Sequence, residues 1–316
     1  MRCLFCYQLL SKDEIDFHPT CSKKIFGTAT PPGLEFDETQ MVNMAYKIIR
    51  AQSAITGVQA KLSLEITKGE KNNGHDRFTI VGLWGGYILK PPTQQYHQLP
   101  EVEDLTMHLA SIAGIETVPH SLIRLTSGNL AYITKRIDRE KKKKIHMEDM
   151  CQLTGRLTED KYHGSYEQIA KAILEYSTNP GLDVINFYEQ VLFSFLTGNA
   201  DMHLKNFSLI NKPKTGYVLS PAYDMVATSL VNPADKEELA LTLNGRKQKI
   251  QKSDFLSAFS AAKINKKAQE NIFEKFENAI PKWITCIDIS FLNEKMKLMY
   301  KSLIQEKINQ LSNSSK

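Results

Sequence analysis

Two acids and one amide with catalytic potential lie close together in the chain, at Asp201, Asn206 and Asp224. Phosphoryl transfer needs a carboxylate that orients the attacking hydroxyl and accepts its proton. It also needs oxygen ligands that hold Mg²⁺ against a polyphosphate, and an amide oxygen and a second carboxylate can supply them. The spacing Asp201-x4-Asn206, followed by Asp224, therefore predicts a phosphoryl-transfer site. Asp201 is the expected base, and Asn206 and Asp224 are the expected magnesium ligands.

A polar turn is the simpler interpretation of the first part of this pattern. The apolar run Val191–Leu196 is followed by Gly198, Asn199 and Asp201, which are residue types that favour turns. A turn does not account for the histidine, lysine and asparagine that come directly afterwards, or for a second acid behind a Ser-Pro-Ala-Tyr sequence. The larger set of residues favours the catalytic interpretation.

The segment Gly198–Ser208, together with Pro221–Met225, resembles the catalytic core of HipA-like toxin kinases, which are bacterial Ser/Thr kinases of toxin–antitoxin systems. Protein kinases in general have the same order of Asp, four residues, Asn and a later Asp. The resemblance extends from about residue 50 to the C-terminus, with further segments in the order of the family. These segments are Gly57–Lys61, Tyr87–Pro91, Arg136–Arg139, His146–Asp149 with Gln152, and Leu239–Gly245.

The resemblance implies roles for residues that would bind ATP. Lys90 corresponds to the family lysine that contacts the α- and β-phosphates, where its charge offsets that of the polyphosphate. Glu103, on the next predicted helix, would pair with Lys90, and Glu101 is the competing acid. The hinge whose backbone meets adenine corresponds to Lys135–Ile137, with Arg136 and Ile137 as the expected contacts, and Lys135 stands where the family tends to have an acid.

The loop Ser53–Gln59 corresponds to the phosphate-covering loop of the family. The three residues expected to bind the nucleotide there are Gly57, Val58 and Gln59. Many family members have a serine before the Ile-x-Gly of this loop, and its autophosphorylation regulates them. Ala54 stands at that position, through natural variation or an engineered Ser→Ala replacement, so only the neighbouring Ser53 and Thr56 remain as acceptors.

His203 and Lys205 lie between the predicted base and the predicted amide ligand, and both are further candidate catalytic residues. A cation at Lys205 would neutralise charge on the transferring phosphoryl group. The family often has a histidine beside the catalytic Asp, and a histidine satisfied by a backbone carbonyl is the alternative role for His203. The matched residues expected to support the loop are His146, Glu148, Asp149 and Gln152.

Four residues near the N-terminus have the spacing of metal ligands, C-x2-C-x11-H-x2-C. They are Cys3, Cys6, His18 and Cys21. Thiolates and imidazole suit Zn²⁺, and a zinc knuckle could organise a segment that has too little apolar surface to fold alone. Alternatively, Cys3 and Cys6 are small apolar residues beneath Phe5 and Leu9. The sequence leaves both interpretations open.

The composition is that of a globular chain with a large core. The 316 residues are 42% hydrophobic, and no apolar run approaches the roughly eighteen residues of a membrane span. There is no signal-peptide pattern, so the expected location is the cytoplasm. The net charge of +5 owes much to Lys141–Lys144, which we interpret as a solvated loop; we expect neither membrane association nor direct DNA binding.

The order of elements predicts an α+β, two-lobed, protein-kinase-like fold with a β-rich N-lobe and a mainly helical C-lobe. The predicted divisions are a Cys/His segment at 1–32, the nucleotide-covering N-lobe at 33–140 and the helical C-lobe with the catalytic loop at 141–316. Strands are expected at Lys61–Thr67, Arg77–Val81, Gly86–Lys90 and within Ser121–Arg139. Helices are expected at Glu38–Ala51, Glu103–Ala113, Ser165–Glu175, Asp183–Thr197, Lys252–Ala262, Ala268–Ala279 and Phe291–Leu311.

The resemblance implies an ATP- and Mg²⁺-dependent Ser/Thr protein kinase that acts as a toxin on an aminoacyl-tRNA synthetase or another translation protein. The chain is shorter than full HipA proteins and resembles the HipT-like form of tripartite HipBST systems. The partners then expected are a HipS-like small protein and a HipB-like DNA-binding antitoxin. The rival functions are a pseudokinase that acts as a binding module, and a small-molecule kinase of the same fold.

Overall fold

The computed structural model describes residues 1–41, 43–44, 61–69, 74–81, 84–140 and 143–312. The chain divides into two compact units. The first contains Met1–Asp104, Val118–Ile137 and Ile289–Phe291, and the second contains Leu105–Thr117, Asp138–Asp288 and Leu292–Lys316. The predicted phosphate-covering loop, with Gly57, Val58 and Gln59, lies outside the described residues.

An antiparallel sheet of five strands forms the centre of the first unit. The strands are β1 (Leu62–Thr67), β2 (Arg77–Val81), β3 (Tyr87–Lys90), β4 (His120–Arg124) and β5 (Leu130–Lys135). They lie in the order β2-β1-β3-β5-β4. The period of two that marks a strand is clear in β1, where Leu62 and Leu64 are buried and Glu65 is exposed. The three individually predicted strands are confirmed to within one residue at each end.

The N-terminal Cys/His segment packs into the core of the same unit. It contains a short helix, α1 (Pro19–Phe26), which the sequence analysis did not predict. The helix starts with a proline in its first turn and ends before Gly27, which adopts a left-handed φ of 83°. The Phe26 ring packs edge-on against Phe78, with 5.6 Å between centroids, and also contacts Tyr87. Helix α1 therefore covers part of the sheet.

The remaining helices lie mainly in the second unit. They are α2 (Leu99–Ile112), which crosses the boundary between the units, α3 (Met150–Leu153), α4 (Tyr166–Tyr176), α5 (Pro180–Thr197), α6 (Thr228–Val231), α7 (Lys252–Ala261), α8 (Lys266–Ile289) and α9 (Glu294–Ser312). Every residue of α5 from Phe187 to Thr197 is buried, as expected for a largely apolar helix that packs against neighbours on all sides. Helix α5 is thus the central element of this unit.

Two predicted helices differ from the structure in informative ways. The predicted Ala268–Ala279 continues through Pro281 to the end of α8, because Trp283 and Ile287 keep burying apolar surface beyond the proline. The Trp283 indole N–H also donates to the backbone O of Leu109 at 2.8 Å. The predicted helix Glu38–Ala51 is described only in part, where residues 38–41 and 43–44 are helical.

Short strands interrupt the helical unit. One ribbon pairs β6 (Arg139–Glu140) with β7 (Lys143–Lys144). A second sheet contains β8 (Met147–Asp149), β9 (Ser208–Lys212) and β10 (Gly216–Leu219) in the order β10-β9-β8. The expectation that Lys141–Lys144 is a plain loop is therefore wrong for Lys143 and Lys144, which are exposed but paired in a strand. The described residues form an α+β fold, and no helix among them is both long and apolar enough to span a bilayer.

Candidate active site

A rigid backbone segment follows the buried helix α5. Gly198 ends the helix in the left-handed region at φ 66°, and a Cβ atom there would lie 2.7 Å from Leu303 Cδ2. The hydroxyl of Thr228 accepts the N–H of Ala200 at 2.8 Å and donates to the carbonyl of Gly198 at 3.3 Å. The side-chain oxygen of Asn199 accepts the backbone N–H of Asp201 at 3.2 Å. The loop that carries the predicted base is therefore held through its own backbone.

Asp201 is hydrogen-bonded through both its side chain and its backbone. The phenol of Tyr162 donates to Asp201 Oδ1 at 2.6 Å. Burial raises the pKa of Tyr162, and the adjacent Asp201 carboxylate raises it further, so the phenol stays protonated and remains a donor. The carbonyl of Asp201 accepts the N–H of His203 at 2.8 Å and the side-chain N–H of Asn206 at 2.9 Å. The contact with Tyr162 therefore fixes one oxygen of the Asp201 carboxylate. The backbone carbonyl of Asp201 connects the same residue to Asn206, the predicted amide ligand.

The predicted magnesium ligands lie on two anchored pieces of backbone. The amide nitrogen of Asn206 is committed to Asp201, so its amide oxygen is the atom suited to a cation. Asp224 adopts a left-handed φ of 55°, a conformation that Asp tolerates better than most residues. The preceding Tyr223 is anchored because its phenol donates to the carbonyl of Lys205 at 3.0 Å and its oxygen accepts the hydroxyl of Ser208 at 2.5 Å. The donor set, one amide oxygen and one carboxylate, fits Mg²⁺.

His203 lies in a buried position beside the predicted base. It is only 6% exposed, and its ring packs edge-on against Tyr162 with 4.9 Å between centroids. Burial lowers the pKa of His203 to about 4, although the negative charges of Asp201 and Asp224 act in the opposite direction. Its Nδ1 atom is buried and has no hydrogen-bond partner within the described part of the chain. His203 is therefore a neutral ring at neutral pH.

Lys205 forms an ion pair instead of projecting alone. Its ammonium lies 2.7 Å from Asp149 Oδ2. Asp149 also caps α3, because its side chain accepts the N–H of Gln152 while the Gln152 side chain accepts the N–H of Asp149, both at 3.0 Å. The Lys205 side chain remains one-third exposed, at 33%. Its role in phosphoryl transfer thus stays a prediction, and it has a second role in joining the loop to α3.

Lys90 and Glu103 form a buried ion pair in the first unit. Lys90 is 3% exposed and Glu103 1% exposed, and the Lys90 ammonium contacts Glu103 Oε1. The same ammonium lies 5.4 Å from the centroid of the Tyr132 ring. The expected partner is therefore present, and it is Glu103 instead of Glu101.

The predicted hinge follows β5 in the first unit. The backbone N–H of Arg136 donates to the carbonyl of Gly86 at 2.8 Å, so it is used within the protein. The segment predicted to meet adenine includes Arg136 and Ile137. Their role stays a prediction.

Two contacts of the candidate site had no signal in the sequence. Tyr162 and Thr228 both lie far along the chain from the loop residues that they hold, and neither belongs to a recognisable motif. Tyr223 was different, because it lies within the Pro-Ala-Tyr-Asp sequence that drew attention to Asp224. The structure joins Asp201, His203, Asn206 and the Tyr223-Asp224 pair within the second unit, and Lys90 with Glu103 within the first.

Residues 53–284 match the family model described as HipA-like C-terminal domain, so the chain belongs to this family. It is 35% identical over 215 residues to a Sinorhizobium fredii protein named "Putative kinase Y4dM", covering 64% of this chain and 50% of that protein. It is 26% identical over 211 residues to the serine/threonine-protein kinase toxin HipA of Shewanella oneidensis, covering 60% of this chain and 46% of that protein. The chain thus spans about half of the length of these curated relatives.

Two solved structures have a similar fold. One is Shewanella oneidensis HipA in its complex with HipB and operator DNA, with a TM-score of 0.67, 19% identity, and coverage of 85% of this chain and 71% of that one. The other is the Helicobacter pylori proinflammatory kinase CtkA, with a TM-score of 0.54, 16% identity, and coverage of 79% and 94%. The predicted α+β, kinase-like fold is confirmed.

Proposed function

We propose that this chain is an ATP- and Mg²⁺-dependent Ser/Thr protein kinase and the toxin of a toxin–antitoxin system. The observation that carries the proposal is the state of Asp201. Its loop is held by Thr228, one carboxylate oxygen is held by Tyr162, and its carbonyl holds Asn206. A carboxylate fixed in this way is suited to accepting a proton from a hydroxyl in a defined direction.

The residues of the second unit have distinct proposed roles. Asp201 orients the hydroxyl of the substrate and takes its proton on a carboxylate oxygen as the new O–P bond forms. The bond between the γ-phosphorus and the bridging oxygen breaks in the same transfer, and its electron pair leaves with ADP. When bound, Mg²⁺ neutralises charge on the phosphates, and the amide oxygen of Asn206 and the carboxylate of Asp224 would hold it. His203 fills space as a neutral ring and adds no positive charge to the site. Lys205 would offset charge on the transferring phosphoryl group while it remains paired with Asp149.

The residues of the first unit would bind the nucleotide. Lys90 would contact the phosphates, and Glu103 would hold its ammonium in place. Gly57, Val58 and Gln59 would cover the phosphates, and the hinge at Arg136 and Ile137 would meet adenine. The family membership supports these assignments, which rest on the residues matched in sequence.

The proposed partners follow from the family. A HipB-like DNA-binding antitoxin is supported by the similar structure in which HipA is bound to HipB and operator DNA. We further propose the HipT-like form of the family, with a HipS-like small protein as a third component and a translation protein, in particular an aminoacyl-tRNA synthetase, as the substrate. These assignments rest on the resemblance noted in the sequence.

The test is quantitative phosphoproteomics of cells that make the chain or one of three variants. Asp201→Asn and Asp224→Asn change the proposed base and metal ligand without changing size. Asp288→Asn is the matched control, because Asp288 lies in an exposed ion pair with Lys301 on the outside of the second unit. We expect one dominant phosphosite on a translation protein with the native chain and the control. The Asp201→Asn rate should be lower by about 10²–10⁴ if Asp201 is the base.

Other outcomes would select a rival function. If purified protein binds ATP but no phosphosite depends on Asp201 or Asp224, the chain is a pseudokinase or binding module. If ATP is consumed in an Asp201-dependent reaction with no protein phosphosite, the acceptor is a small molecule. Equal phosphorylation by the native and Asp201→Asn proteins would remove the assignment of the base.

A further inference from the structure

Three thiols and one imidazole converge at the N-terminus of the first unit. The ligand atoms of Cys3, Cys6, His18 and Cys21 all lie within 4.8 Å of one another. Cys3 is fully buried and Cys21 is 7% exposed. The function proposed above uses none of these residues, and all five cysteines of the chain are free thiols.

The distances from His18 to two of the thiols are close to those of a tetrahedral zinc site. With Zn–S near 2.3 Å and Zn–N near 2.05 Å, a tetrahedron places sulfur and nitrogen about 3.6 Å apart. His18 Nδ1 lies 3.4 Å from Cys6 Sγ and 3.7 Å from Cys21 Sγ. These two distances lie on either side of the expected value, so His18 would need to shift by only tenths of an ångström relative to Cys6 and Cys21 to share an ion with them.

The ring of His18 is oriented with Nδ1 toward the thiols. Its Nε2 atom lies 3.1 Å from the carbonyl oxygen of Leu9. Because a carbonyl can only accept, Nε2 carries the proton, and the lone pair of Nδ1 faces the thiols. Zinc-binding histidines usually have this arrangement, in which the second ring nitrogen donates to a carbonyl or carboxylate. Small apolar packing would account for buried cysteines, but it gives no reason for a histidine nitrogen held toward them.

The backbone orders both ligand pairs. In the first pair, the N–H of Tyr7 donates to the carbonyl of Cys3 at 2.9 Å, and Tyr7 adopts a left-handed φ of 62°. In the second pair, the N–H of Cys21 donates to the carbonyl of His18 at 3.0 Å at the start of α1. We propose that these four side chains form a structural Zn²⁺ site, with three thiolates and His18 Nδ1 as ligands.

The site would hold the N-terminal segment against the rest of the first unit. Between the two ligand pairs, Asp16 forms a bidentate ion pair with Arg124 of β4. Directly after the first pair, the phenol of Tyr7 donates to Asp104 Oδ2 at 2.7 Å. Asp104 is the neighbour of Glu103 on α2. Zinc would therefore stabilise the turn that places Tyr7 against the helix segment carrying the partner of Lys90.

The test measures metal in the full chain, purified without chelators and under reducing conditions. We expect one zinc ion per chain by inductively coupled plasma mass spectrometry. We also expect intense thiolate-to-cobalt charge-transfer absorption after replacement by Co²⁺, as three sulfur ligands require. Folded native protein that stays metal-free after addition of Zn²⁺, or that shows no such absorption with Co²⁺, would overturn the proposal.

Variants then assign the ligands. Removing only the hydrogen-bond partner of a zinc ligand typically weakens zinc binding by about 10–100-fold. Cys6→Ser and His18→Ala remove a ligand itself, so they should weaken zinc binding by more than this. Cys286→Ser is the matched control, because Cys286 lies in the second unit, outside the cluster, and should keep full zinc content. Equal zinc content in all three variants would refute the ligand set. If a ligand variant fails to fold, the cobalt spectrum of the native chain still decides the question.

Discussion

The buried ion pair between Lys90 and Glu103 gives the sharpest prediction about stability and binding. Both side chains are almost fully removed from water. Replacing Glu103 by Gln leaves the lysine charge buried without its carboxylate, and breaking a buried pair in this way costs about 3–5 kcal/mol of unfolding free energy. The double variant Lys90→Met/Glu103→Leu removes both charges and keeps similar volumes. It should recover most of that loss, since apolar replacements of buried pairs are often neutral.

The assay follows unfolding of the first unit alone. Two compact units need not unfold together, so hydrogen exchange monitored by mass spectrometry on β3 and β5 peptides should be measured across a urea series. Glu35→Gln is the control, because Glu35 is an exposed residue of the same unit and its replacement should change the unfolding free energy by less than about 0.5 kcal/mol.

The two variants separate a structural role of the pair from a functional one. The double variant should be folded yet unable to bind ATP, as measured by calorimetry, because no ammonium remains for the phosphates. A loss below about 1 kcal/mol in Glu103→Gln would refute the claim that the pair is desolvated. Normal ATP binding by the double variant would refute the phosphate role of Lys90.

Three further predictions concern the second unit. Tyr162→Phe keeps the ring but removes the donor to Asp201, and a hydrogen bond to a charged group contributes about 1.5–3 kcal/mol. The rate of phosphorylation should therefore fall about 10–100-fold, while the circular dichroism spectrum stays the same. An unchanged rate would show that the reaction does not depend on this contact. Burial lowers the pKa of His203 in the folded protein from 6.5 to about 4. Between pH 6.5 and pH 4 the unfolded state therefore binds a proton that the folded state does not. The unfolding free energy should fall by up to about 3 kcal/mol as the pH falls through this range. Urea midpoints that fall equally in native protein and His203→Gln would contradict this. Lys205→Met should lower kcat more than Asp149→Asn if the ammonium acts on the phosphoryl group, whereas equal losses would indicate that only the ion pair matters.

The sequence predicted the elements whose signals are local. The strands β1 and β2 alternate between apolar and polar residues, β3 is a short apolar run between a glycine and a proline, and the bounds of all three were found to within one residue. The candidate catalytic motif was equally visible in the sequence, and the catalytic roles of its acids and its amide remain predictions. The pairing of Lys90 with Glu103 was expected because a strand lysine and a helix acid stand in the order that the family has.

The features that the sequence did not reveal depend on packing between distant parts of the chain. The contact of Tyr162 with Asp201 joins residues 39 apart, and no spacing rule connects them. Helix α8 passes through Pro281 because buried side chains beyond the proline outweigh its local preference to end a helix. Lys143 and Lys144 are in a strand because Arg139 and Glu140 are available to pair with them.

The hydrogen bonds of Thr228 to the backbone of Gly198 and Ala200, called the Thr228 clamp here, affect the thermodynamics of metal binding. The Thr228 hydroxyl holds Gly198 and Ala200, and the N–H of Ser229 donates to the same Gly198 carbonyl at 3.0 Å. The loop has therefore lost its conformational freedom during folding, before any ligand arrives. Asp224 lies four residues before Thr228 in the chain. The short segment that contains the proposed metal ligand therefore also immobilises the loop that contains Asp201, the proposed base. Calorimetric titration with Mg²⁺ should then show little loss of entropy from ordering of the loop. Thr228→Val should make this loss of entropy larger without changing any proposed metal ligand.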